Sequence, residues 1–123
     1  RAFTGRPAAM AGAISAHAVN PASQAVLSQI PALTLAESYA RGDAYDYGAA
    51  FARAAEPILG PVLADTVRAD LTQLQDSGLD RFGEASKEKL RARYAAFDHP
   101  GAREIVAWLE GHWTITRAEI EAS

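Results

Sequence analysis

Apolar residues return every three or four positions along most of this chain, the spacing of one face of an α-helix. The clearest case is residues 61–79, where Leu63, Val67, Leu71 and Leu74 form a stripe. Pro61 suits a first helical position, which has no use for the missing N–H. Asp65 stands near the positive end of the helix dipole. Gly78 is expected to end the helix with positive φ, so that Leu79 folds back onto Leu74. A helix with one apolar stripe must bury it, so these four residues are expected in the core.

The same pattern extends in both directions. Residues 7–19 predict a first helix with Met10, Ala13, Ile14, His17 and Ala18 on one face. Asn20 and Pro21 end it and open a short second helix, which Pro31 breaks after Ile30. Residues 32–41 predict a third, with Leu35 and Tyr39 one turn apart and Gly42 at its C-terminal end. Asp43 is expected to cap a fourth, with a stripe of Tyr47, Phe51, Ala55 and Ile58 that Pro57 kinks or ends. Beyond Gly78, Asp80 is expected to cap a helix running to about Phe97, delayed toward Ser86 by Gly83. Phe82, Leu90, Tyr94 and Phe97 share one side of it; Lys87, Glu88, Lys89, Arg91 and Arg93 lie mostly on the other. Residues 98–101 read as a turn and 103–112 as the next helix. Thr114 or Thr116 caps a short last helix through Ile120. Strand alternation, hairpin dipeptides and internal repeats are missing. Short connections imply antiparallel neighbours. The expected fold is therefore all-α, a single-domain bundle of six to eight short-to-medium helices across residues 1–123.

Composition narrows the classes further. With 123 residues, 49% of them hydrophobic and 22% charged, the chain is long enough to bury a core. Alanine makes up roughly a fifth of it, which favours helix and close helix packing. A net charge of −3 argues against nucleic acid as a partner. The stretch 103–122 has the rhythm of a helix-turn-helix, with Ala107 four residues before Gly111. Glu110 and Arg117, however, occupy positions that need apolar packing. The chain has no cysteine, so thiol chemistry and disulfides are excluded. No apolar run approaches the ~18 residues of a membrane span. The first residues are too rich in alanine and glycine for a clear signal peptide, which favours a soluble, cytoplasmic protein.

The candidate chemistry is sparse. His17 lies in the stripe of the first predicted helix. His112 lies in the stripe Ile105, Trp108, Leu109, His112, Trp113. A titratable ring on a face that should be buried either satisfies a core partner or faces a pocket. Trp108, Trp113, Tyr39 and Tyr94 are suitable walls for such a pocket, so the candidate ligand-binding set is His17, Tyr39, Tyr94, Trp108, His112 and Trp113. His99 sits in a turn and is expected to face solvent. The cluster Tyr39, Arg41, Asp43, Tyr45, Asp46, Tyr47 combines aromatics with charges; helix capping explains its acids as readily as a binding surface does. There is no HExxH motif, closely spaced metal-ligand set, calcium loop, nucleophile elbow or phosphate loop. No metal site is expected and no cofactor is indicated. The function expected is a non-catalytic helical binding module for a small apolar ligand or a protein partner. The alternatives are an enzyme using a histidine acid–base group in an interhelical pocket, and a self-assembling helical subunit that forms a homo-oligomer.

Overall fold

A computed structural model describes residues 1–4, 7–77, 79–115 and 117–122. The protein is all-α, with seven α-helices among the described residues. It divides into two compact units, residues 1–77 and 78–123.

In the first unit, α1 spans Gln29–Arg41, α2 spans Tyr47–Leu59, α3 spans Pro61–Ala69 and α4 spans Leu71–Asp76. Helix α2 packs against both α1 and α3. Its buried face is Ala50, Phe51, Ala54, Ala55 and Leu59. Three alanines on one face let neighbouring backbones approach closely while Phe51, 2% exposed, fills the space between them. Helix α1 contributes Ile30 and Leu35, and α3 contributes Leu63, Ala64 and Val67.

Several boundaries differ from the periodicity, each for a physical reason. The stretch 7–19 is no α-helix. Only a 3-10 turn forms at Ala8–Gly12, with no buried residue to hold it; alanine propensity alone does not offset the cost of nucleating a helix. Residues 21–28 likewise form no helix beyond turns. Pro31 does not break a helix but lies in the first turn of α1, where its missing N–H has no intrahelical partner to lose. The cap of α2 is Asp46 rather than Asp43: its carboxylate accepts from the Ala49 N–H at 2.6 Å, while Asp43 sits in a 3-10 turn, Gly42–Ala44. Pro57 lies in the last turn of α2, which ends two residues later at Leu59. Gly60 then turns the chain into α3 with φ 75° and ψ 160°, a conformation open essentially to glycine alone. Pro61 takes the first position of α3, as its sequence context implies.

The expected helix over 61–79 is interrupted at Asp70, which has φ −94° and ψ 3°. Asp70 is buried, and its carbonyl accepts from Leu74 N–H at 2.9 Å to open α4. The break rotates Leu71 and Leu74 away from the line set by Leu63 and Val67. Both are only half-buried, so the core part of the stripe ends at Val67. Gly78 and its expected φ lie outside the described residues, as does the expected cap at Thr116.

One surface network joins α1 to α2. Glu37 accepts from Arg53 Nε at 3.0 Å and from Arg41 Nε at 2.7 Å. The hydrogen bond from Arg53, with the Arg53 and Arg41 charges behind it, holds the Glu37 carboxyl below the usual glutamate range against partial desolvation. A lowered carboxyl favours the folded state above the unfolded pKa, and that contribution fades as pH falls through the folded value. The difference in melting temperature between wild type and Glu37→Gln is therefore expected to be present at neutral pH and to shrink below the ordinary glutamate value of 4.5. Melting curves of both proteins from about pH 6 to about pH 3 check this; a constant difference would remove Glu37 from the acid transition.

In the second unit, a 3-10 turn at Leu79–Arg81 precedes α5, Glu84–Ala95. Asp80 falls within that turn and Gly83 stands at the N-cap position instead. Helix α5 packs on α6, Pro100–Leu109. Their buried residues are Leu90 and Tyr94 from α5, and Gly101, Ala102, Ile105 and Leu109 from α6. Phe82 and Phe97, expected on the same side, are half-buried. Helix α7, Arg117–Glu121, closes the chain.

The start of α6 revises the role of His99. The ring is half-buried, and its Nδ1 accepts from the Gly101 N–H at 3.0 Å. That bond requires a bare Nδ1 and so places the neutral ring's proton on Nε2. His99 is an N-cap, with Pro100 as the first helical residue.

Candidate functional site

Of the six candidate residues, the fold of the first unit brings two together. His17 Nδ1 lies 2.7 Å from the hydroxyl of Tyr39, which α1 presents on a half-buried face. The His17 ring also stands edge-on to Phe3 at 5.5 Å and to Tyr39 at 5.8 Å between centroids. These are favourable aromatic geometries. Phe3 is itself fixed through its backbone. Its N–H donates to Thr34 Oγ1 at 2.8 Å, and its carbonyl accepts from the Tyr45 hydroxyl at 2.8 Å. Thr34, fully buried in α1, also donates back to the Ile30 carbonyl at 3.0 Å. Burial pushes the Tyr45 phenol above its ordinary pKa.

Thr34, Tyr45 and Phe3 thus build the cluster around His17. Tyr45 belongs to the aromatic and acidic stretch visible in the sequence; Thr34 and Phe3 carry no local signal. Chemically, the Tyr39 hydroxyl occupies Nδ1 of His17, so Nε2 is the ring nitrogen left to meet anything else.

The second unit does not assemble the pocket expected around His112. Helix α6 ends at Leu109 because Gly111 takes φ 79°. The His112 N–H bonds back to the Ala107 carbonyl and the Gly111 N–H to the Trp108 carbonyl, both at 3.0 Å, which is a Schellman motif. The chain leaves the helix there, so His112 and Trp113 never join the stripe of Ile105 and Leu109. His112 is exposed, its ring 6.4 Å from that of Trp113 and its Nε2 3.6 Å from a Glu110 oxygen, too long for a hydrogen bond. Trp108 is half-buried on α6 and edge-on to Phe82 at 6.2 Å. Tyr94 is fully buried in the core and lines no surface.

One cleft in the first unit is lined by Ala52, Glu56, Pro61, Ala64, Asp65 and Arg68, between α2 and α3. At about 180 Å³ it is below the usual size of a small-molecule site, and its rim is charged. Arg68 there is already engaged by Asp65 at 3.0 Å. Among the described residues, every buried side-chain nitrogen and oxygen has a partner, and no three His, Cys, Asp or Glu gather closely enough to hold a metal ion. No described helix is long and apolar enough to cross a membrane. Comparison with known protein families, with curated proteins and with solved structures finds no match.

Proposed function

We propose that the chain is a non-catalytic helical binding module whose partner is another protein, met by the stretch that follows Gly111. The supporting observation is the exposure of Trp113, Ile115 and Ile120, at 39%, 70% and 63%. Single apolar residues on a surface are ordinary. Three large ones from position 113 to position 120, one of them the tryptophan that interface cores favour, suit contact with a protein partner. His112 beside Trp113 adds a polar edge. The α2–α3 cleft, small and charged, does not itself suit a small apolar ligand.

The test is a photoreactive amino acid placed at Ile115 in the full chain, activated in the cells that make it. One discrete adduct with a second protein is expected, and Trp113→Ser should reduce its yield about tenfold or more. Absence of an adduct, or a yield indifferent to Trp113→Ser, overturns the reading. An adduct containing two copies of this chain replaces it with self-assembly.

A further inference from the structure

We propose that residues 14–23 form a detachable strap over α1, latched by the contact of His17 with Tyr39. This stretch holds no helix, and none of its residues makes a backbone–backbone hydrogen bond with another described residue. Peeling it away therefore breaks no ladder of backbone hydrogen bonds; a side-chain bond to its backbone, from Ser28 Oγ to the Ala22 carbonyl, lies at its C-terminal end. Bonds of described residues stand on either side of it. On the N-terminal side, Phe3 is clamped between Thr34 and Tyr45, and the Ala13 N–H bonds to the Met10 carbonyl. On the C-terminal side, Ser28 N–H bonds to the Gln24 carbonyl, and Ser28 Oγ reaches back to the Ala22 carbonyl at 3.3 Å.

Between these anchors only Ile14 and His17 are shielded, and each only in part; residues 18–23 are all exposed. His17 alone carries a directed bond to α1, 2.7 Å from the Tyr39 hydroxyl, with its ring edge-on to Tyr39 and Phe3. Segments with few buried contacts and no internal backbone bonds open locally, far below the free energy of global unfolding. Opening at His17 bares the Tyr39 phenol and the Phe3 ring while Phe3's own backbone clamps stay closed. The latch holds whichever way the hydroxyl is turned, since a tyrosine oxygen both donates and accepts. Tyr39→Phe removes this bond and leaves the ring packing, so it isolates the latch.

Limited proteolysis of the full chain with proteinase K, with cleavage sites mapped by mass spectrometry across low urea concentrations, reads the opening. In wild type, cleavage within 14–23 is expected to be nearly independent of urea, as local opening exposes little surface; cleavage in α2 should rise steeply. Tyr39→Phe should speed strap cleavage roughly two- to tenfold, the factor carried by one hydrogen bond of ordinary strength. Its urea dependence should stay flat, with helical circular dichroism unchanged. His17→Ala, which also removes the ring contacts, should speed cleavage further. Strap cleavage as steep in urea as cleavage in α2 would show that the segment opens only with the whole unit. Identical strap cleavage in wild type, Tyr39→Phe and His17→Ala would show that nothing latches it. Either result overturns the strap.

Discussion

Phe51→Ala is expected to destabilise the first unit by about 3–5 kcal/mol. Phe51 is 2% exposed at the middle of α2, the helix that packs against both α1 and α3. Its closest companions on that face are Ala50, Ala54 and Ala55, all buried. Alanines have no side-chain length with which to collapse into the space a lost ring leaves, so much of the cavity should persist, and a persistent cavity is the costlier case. A typical domain holds only about 5–15 kcal/mol in total, so this single change removes a large share of the margin. Urea denaturation followed by helical circular dichroism gives the result. Phe51→Leu, which retains most of the buried volume, should cost clearly less. Equal midpoints for wild type and Phe51→Ala would mean that α2 does not carry the core.

In the second unit, Tyr94→Ala is expected to cost about 3–5 kcal/mol as well. Tyr94 is fully buried on α5, beside a contact surface that otherwise offers Leu90 from its own helix and Ala102, Ile105 and Leu109 from α6. It is the largest side chain in that set, so its loss removes the most apolar area. Both tryptophans of the chain, Trp108 and Trp113, lie in residues 78–123. Tryptophan fluorescence during urea denaturation therefore reports this unit directly. A wall residue of a ligand cavity would behave differently: truncating it would enlarge the cavity and change binding with little loss of stability. A Tyr94→Ala protein as stable as wild type would restore that role, which the sequence alone suggests for Tyr94.

Three-to-four-residue periodicity carried the fold class by itself, because an amphipathic stripe records the neighbour that must cover it. Leu63 and Val67 on α3, Phe51 and Ala55 on α2, and Leu90 and Tyr94 on α5 are buried where the spacing places them. Local chemistry likewise marked Pro61 as a first helical residue and Gly42 as the end of α1. Those signals are short-range: a ring that fixes φ and a residue without Cβ act the same in any context. Tertiary structure decided the rest. Residues 7–19 have helical spacing, yet none of their described residues is fully buried, and a short helix without deep burial does not hold. His17 consequently meets Tyr39 from a segment without regular structure, a pairing across 22 positions that no local pattern encodes. His112 continues the α6 stripe on paper, but the Schellman turn at Gly111 ends the helix first, and three residues of backbone geometry move the ring from core to surface. Sequence periodicity states which face of a helix is apolar; whether the helix exists there, and what lies opposite, depends on contacts from elsewhere in the chain.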